Sequence, residues 1–237
     1  MRKTKIICTL GPATEDENIL RELMLNGMDV ARINMSHGTH EEHKKKIDAV
    51  KKLRTELDKP VAILLDTKGP EIRTGNFPEK VMLQAGDTFT LSTIECEGTK
   101  SHCSITFEGL PKDVEIGTRI LIDDGLIELK VRHLTDTDIE CIVLNGGPVS
   151  SHKGINVPGV TLSLPFMSDR DKEDLSFGVE QGVDFVAASF TRNANDINEM
   201  KAVLETLGGE DIRIIAKIEN RSGVEHIDEI CEIADGI

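Results

Sequence analysis

Apolar residues follow two rhythms in this chain. From Lys5 to Leu10, Val30 to Met35 and Val61 to Leu65 they run in short, nearly unbroken stretches, as strands covered on both faces do. Between these stretches they recur at helical spacing: Ile19, Leu20, Leu23 and Met24 within Asn18 to Leu25, then Ile47, Val50, Leu53 and Leu57 within Thr39 to Leu57. Gly11-Pro12 ends the first strand and Gly27 the first helix, while Thr39 with Glu42 forms a capping box opening the second. Alternating strands and amphipathic helices predict a parallel sheet covered by helices.

At Gly69-Pro70 the rhythm changes. Thr88 to Ser92, Ser104 to Phe107, Arg119 to Ile122, Leu126 to Val131 and Ile139 to Leu144 read as short strands, with Asp123-Asp124-Gly125 as a hairpin turn and no helix among them. Residues 70–156 are therefore expected to form an all-β insertion, entered at Lys68-Gly69-Pro70 and left at Pro158-Gly159. The first rhythm then returns, with helices over Asp169 to Glu180, Ala194 to Leu207 and Val224 to Ala234 and strands over Asp184 to Phe190 and Ile212 to Ile218. The expected division is 1–69, first part of a barrel; 70–156, insertion; and 157–237, barrel continued. Five strand-helix units are too few for an eight-unit barrel. The fold class expected is thus α/β, a (β/α)8 barrel incomplete before its sixth strand and carrying an all-β, barrel-like domain, so that the chain reads as a fragment. An open five-stranded parallel sheet is the alternative.

Composition narrows the partners. With no Trp, no Tyr and 7 Phe among 237 residues, the core must be built from Ile, Leu, Val and Met. A formal charge of -14 repels nucleic acid and anionic membrane, so an anionic ligand needs locally gathered cations, a metal, or both. The five cysteines are scattered and read as reduced packing residues. The start Met1-Arg2-Lys3, followed by Ile6 to Leu10, faintly resembles a signal peptide, but Gly11-Pro12 and the acids Glu15, Asp16 and Glu17 interrupt it. No apolar run approaches the roughly 20 residues of a membrane span. A cytoplasmic protein is expected.

Side chains alternate along a strand, which puts Arg32, Asn34 and Ser36 on one face and Ile33 and Met35 on the other. Lys217 and Glu219 share a face in the same way, and the third strand runs into Asp66-Thr67-Lys68. Three apolar strands thus turn polar at their carboxyl ends, where parallel α/β folds assemble their sites. Each residue also has a plainer reading. Lys217 with Glu219 suits either an ion pair or a Mg²⁺-bearing carboxylate beside a lysine that neutralises a transferring phosphoryl group. Arg32 suits phosphate or a salt bridge, and Asn34, Ser36, Asp66 and Thr67 suit a monovalent cation or buried hydrogen bonds. His37 suits a nucleotide contact or a helix cap. His40, His43, His102, His133, His152 and His226 show no metal-ligand spacing and are expected at the surface or in loops. Phosphate-loop, dinucleotide, nucleophile-elbow and zinc-helix motifs are missing from the sequence.

Four segments carry a resemblance: Lys5-Ile6-Ile7-Cys8-Thr9-Leu10-Gly11-Pro12-Ala13-Thr14, Ala31-Arg32-Ile33-Asn34-Met35-Ser36-His37-Gly38, Asp66-Thr67-Lys68-Gly69-Pro70-Glu71-Ile72-Arg73-Thr74-Gly75 and Ile215-Ala216-Lys217-Ile218-Glu219-Asn220. In this order they closely resemble the pyruvate kinases over essentially the whole chain. The resemblance implies phosphoryl transfer from phosphoenolpyruvate to ADP, giving pyruvate and ATP, on a (β/α)8 barrel with a mobile β-domain lid. It implies that Arg32 holds the phosphoryl group, Lys217 stabilises the transition state and Glu219 ligates Mg²⁺ or Mn²⁺. Asn34, Ser36, Asp66 and Thr67 correspond to a K⁺ site, and His37, Arg73 and Lys153 to nucleotide contacts. Glu71 corresponds to the position where glutamate accompanies K⁺ dependence. The family's second metal-binding aspartate and catalytic threonine fall beyond Ile237, so these residues alone are expected to be inactive, while the complete protein is expected to be a homotetramer. A non-catalytic phosphate-binding or interaction module descended from such an enzyme is the competing reading.

Overall fold

The computed structural model describes residues 3–160 and 162–237. Met1 and Arg2, which open the signal-like start, lie outside the described residues. The chain divides into two units, 1–70 with 166–237 and 71–165.

The first unit opens with β1 (Ile7–Thr9), α1 (Glu17–Leu25), β2 (Val30–Asn34), α2 (His40–Glu56) and β3 (Ala62–Asp66). Asp16 caps α1 by accepting from Asn18 N, and the capping box of Thr39 and Glu42 opens α2 as its sequence predicts.

The second unit contains β4 (Ile72–Arg73), β5 (Val81–Leu83), β6 (Thr88–Ser92), β7 (His102–Ser104), α3 (Leu110–Asp113), β8 (Arg119–Ile122), β9 (Ile127–Leu134), β10 (Asp138–Asn145), β11 (Gly147–Val149) and β12 (Gly154–Asn156). Seven strands form one sheet in the order β4-β12-β8-β9-β10-β6-β7, and β11 pairs with β5. Asp123 and Asp124 both take φ 55 at the β8–β9 turn, the left-handed conformation that Asp tolerates better than most residues. Two readings are corrected here. A four-residue helix, α3, interrupts a stretch expected to be all strand, with Pro111 in its first turn. The unit also extends past residue 156, because Val157 is buried in its core and Val160, Leu162 and Leu164 pack against that core.

The first unit resumes with α4 (Asp169–Glu180), β13 (Phe185–Ala188), α5 (Ala194–Thr206), β14 (Arg213–Ala216), α6 (Arg221–Glu225) and α7 (Ile227–Ile233). The single helix expected over Val224 to Ala234 is two helices, broken at His226, whose Nδ1 lies 2.9 Å from the Ser222 carbonyl. The sheet of this unit runs β1-β2-β3-β13-β14, every pair parallel. Neighbours in space are neighbours in order within the unit, without the reversal of a doubly wound sheet, and this is the order of a barrel. Ile215 forms a parallel bridge with Gly236, which places a sixth extended segment beside β14. The architecture is an incomplete (β/α)8 barrel.

Each unit has its own core. That of the first is aliphatic, with Ile33, Ile47, Val50, Leu53, Ile63, Leu65 and Val186 fully enclosed between sheet and helices. The covered face of β2 is Ala31 and Ile33, so Arg32 and Asn34 are forced to the opposite face.

Candidate active site

The carboxyl ends of β2, β3, β13 and β14 converge on one side chain, Asp66. It follows the apolar run of β3 and is 1% exposed. Register aligns Asn34 with Asp66 across β2 and β3, and the Met35 amide donates to the Asp66 carbonyl at 3.0 Å. Arg32 reaches Asp66 Oδ2 through Nε, at 2.7 Å, and through Nη2, while its Nη1 donates to Thr9 Oγ1 at 2.7 Å. From the other side Lys217 Nζ approaches Asp66 Oδ1 at 3.1 Å. One buried carboxylate therefore holds two cations from two different strands.

Lys217 Nζ also donates to Ser189 Oγ at 2.8 Å and faces Glu219 Oε1 at 3.3 Å. Ser189, just past β13, is 2% exposed and donates to the Thr67 carbonyl at 2.6 Å. The Thr67 hydroxyl in turn accepts from the Ser189 amide at 3.2 Å. Glu219 Oε2 accepts from the Phe190 amide at 3.0 Å. Phe190 has φ 55, a left-handed conformation unusual for an aromatic residue, and the Asn220 side chain ties its carbonyl at 3.1 Å. On β2's continuation, Asn34 Oδ1 accepts from the Ser36 amide at 3.0 Å, and His37 is exposed.

The structure thus brings Arg32, Asp66, Thr67, Lys217 and Glu219 into one network, with Asn34 and Ser36 beside it. Arg73 and Lys153 lie in the second unit, where β4 and β12 pair and set Gly154 opposite Arg73. The Arg73 guanidinium grips Glu71 with Nε and Nη2 at 2.6 and 2.7 Å and donates to the His152 carbonyl at 2.6 Å. That grip raises its pKa above the ordinary arginine value. Lys153 Nζ meets Asp123 Oδ1 at 2.9 Å.

Residues 1–237 match the family model described as pyruvate kinase, barrel domain. The chain belongs to the pyruvate kinase family. It is 48% identical over 240 residues to the pyruvate kinase of Staphylococcus aureus (strain MRSA252), and 49% and 46% identical to those of Staphylococcus saprophyticus and Staphylococcus haemolyticus. Each match covers 100% of this chain and 41% of the relative, so the chain spans less than half the length of those pyruvate kinases.

Among the described residues, no group of three or more His, Cys, Asp and Glu could hold a metal. Such a cluster is not required by Mg²⁺, which takes one or two protein carboxylates and completes its shell with water and substrate oxygens. Glu219 fits that description, since the Phe190 amide fixes one oxygen. The hard oxygens of Asn34, Ser36, Asp66 and Thr67 fit a monovalent cation by donor chemistry: Asn34 and Asp66 end two strands in register, and Ser36 and Thr67 follow them. Asp235 serves the fold instead: Oδ2 accepts from the Ile214 amide at 2.9 Å and Oδ1 meets Arg213 at 3.2 Å.

Two features escaped the sequence reading. Ser189 and Thr9 belong to the network, yet each follows or ends an apolar strand as a lone small hydroxyl; the signal was their place at a parallel strand's carboxyl end. His43, expected at the surface, is 3% exposed. It stands four residues before Ile47, so the stripe of α2 carries it inward.

Proposed function

We propose that the protein to which this chain contributes is a pyruvate kinase, transferring the phosphoryl group of phosphoenolpyruvate to ADP to give pyruvate and ATP, the last step of glycolysis. The observation that carries this reading is the pairing of Arg32 and Lys217 on buried Asp66 next to Glu219. Phosphoryl transfer is catalysed chiefly by positioning and by neutralising charge on the phosphoryl oxygens. Arg32 offers a planar fork to those oxygens, and Asp66 fixes its direction. Lys217 presents a point charge to the transferring group and to the enolate oxygen left behind. Glu219 would hold Mg²⁺ or Mn²⁺, and Asn34, Ser36, Asp66 and Thr67 would hold K⁺; the divalent ion supplies further neutralisation of phosphoryl charge. His37, Arg73 and Lys153 are read as nucleotide contacts. Glu71 is read as the residue that makes the enzyme depend on K⁺. A cytoplasmic homotetramer completes the proposal; among the described residues no helix is long and apolar enough to cross a membrane.

The test is pyruvate formation from phosphoenolpyruvate and ADP with Mg²⁺, in K⁺ and in Na⁺, using the reading frame through its natural stop codon. K⁺-dependent turnover is expected, with none from residues 1–237 alone. Absence of turnover in both salts would leave a phosphate-binding module as the better reading.

A further inference from the structure

The first turn of α2 faces the loop that carries His37, and its fourth residue, His43, reaches back under that loop. His43 Nε2 lies 2.8 Å from the His37 carbonyl oxygen. A carbonyl only accepts, so Nε2 carries the proton and Nδ1 the lone pair. Gly38, with φ +83, lets the loop close onto the ring: a Cβ there would stand 3.2 Å from His43 Cε1 and 3.1 Å from Glu42 Oε2. The ring is therefore both the donor and the floor of the loop. One turn earlier on the helix, His40 Nε2 meets Asp174 of α4, 1% exposed, at 2.6 Å while the His40 ring stacks on Phe177. Among the described residues His43 Nδ1 and Asp174 Oδ2 have no hydrogen-bond partner, although both are buried. A hydrophobic residue at position 43 would avoid that desolvation, so packing alone gives no reason for a histidine there.

We propose that His43 is a positioning residue that holds the loop from Ser36 to Thr39. Its consequence for catalysis rests on the function proposed above, because that loop presents Ser36 and His37. Hydrogen exchange and steady-state kinetics on the full reading frame test it through two variants. H43L keeps an apolar floor but removes the donor. H43Q can place its amide nitrogen near the position of Nε2. Amides of Ser36 to Thr39 are expected to exchange at least about tenfold faster in H43L and at the wild-type rate in H43Q. Given wild-type turnover, KM for ADP is expected to rise about tenfold in H43L, with a smaller change in kcat, and to recover in H43Q. Unchanged loop exchange in H43L, or equal loosening in both variants, overturns the assignment. Should H43L not fold, G38A, which presses a methyl group onto the ring, is expected to speed exchange over the same amides; wild-type exchange in G38A overturns the assignment equally. The exchange readout does not depend on turnover, so an inactive wild-type protein would refute the proposed function and leave this test intact.

Discussion

Lys217 Nζ and Asp66 Oδ1 lie 3.1 Å apart, and the oxygen beside it, Oδ2, is held by Arg32 at 2.7 Å. Both cations are about a third exposed, whereas Asp66 is buried, so solvent screens them more than the carboxylate. In D66N the two cations lose the counter-charge they share, and Lys217 keeps only that of Glu219 Oε1, at 3.3 Å. The urea midpoint should fall by the equivalent of about 1–3 kcal/mol, below the 3–5 typical of fully buried pairs because of that screening. Displacing Lys217 from its set geometry should cost kcat about 10²-fold. A D66N protein with wild-type kcat would show that the carboxylate does not orient the lysine.

How much of this was legible depended on periodicity. The 3.6-residue stripe and the box of Thr39 and Glu42 fixed α2, and Asp169–Glu180 came out residue for residue as α4. The two-residue period of β2 put Arg32 and Asn34 on the polar face. Strands of two or three residues such as β4, β11 and β12 were not legible, because so short a run shows no period and is held by partners distant in sequence. Ser189 was hidden for a related reason. An expected strand running on to Phe190 conceals that the chain turns at Phe190 into a left-handed conformation, which exposes the preceding hydroxyl to Lys217.

Ser189 is the second support of Lys217, and S189A separates orientation from charge. The substitution removes an acceptor 2.8 Å from Nζ and a donor to the Thr67 carbonyl and to Asp66 Oδ1, but keeps the Asp66 charge. Stability should drop by about 1–2 kcal/mol. A kcat loss of roughly tenfold with little change in KM for phosphoenolpyruvate is expected from steady-state kinetics. An unaltered kcat would confine Ser189 to a structural role.

Gly69 allows the backbone after β3 to pass Ser189 closely. Its φ is +71, and a Cβ would lie 2.9 Å from both Ser189 Cβ and the Ser189 carbonyl oxygen. Its amide also donates to Asp171 Oδ1 at 3.0 Å. G69A should therefore destabilise by more than about 1 kcal/mol, since strain and contact act in the same direction. Denaturation monitored by circular dichroism measures it, and a neutral or stabilising effect would mean that the turn relaxes.

Burial pushes the thiols of Cys103 and Cys141 up to about 12, whereas Cys231 is exposed. At pH 8 on the order of one in ten thousand of the buried groups would be thiolate, the reactive form. A thiol reagent followed by peptide mass spectrometry should modify Cys103 and Cys141 only as the protein unfolds in urea. Rapid labelling of either under native conditions would contradict a closed core in that unit.

The buried imidazole also makes a prediction about pH. Burial, with Lys46 and His40 on α2, lowers the His43 pKa from 6.5, while the His37 carbonyl and Asp174 on α4 oppose the shift. The unfolded chain therefore takes up this proton before the folded protein does. The contribution of His43 is complete above pH 6.5 and is lost as pH falls from 6.5 through the depressed folded value. Asp174 works in the opposite sense. Burial raises its carboxyl pKa above 3.8, with His40 and Arg170 offsetting part of the rise, so its cost is present above the folded value and relieved as pH drops below it. Asp171 adds to the same rise, and because the wild-type protein and H43Q both carry Asp174, its effect is common to the two and drops out of the comparison of their slopes. Between about pH 7.5 and pH 5.5 the urea midpoint of the wild-type protein should fall more steeply than that of H43Q, which has nothing to titrate at this position. Parallel slopes for the two proteins would show that the ring charges within the fold without cost, and hence that it is not held neutral beneath the His37 carbonyl.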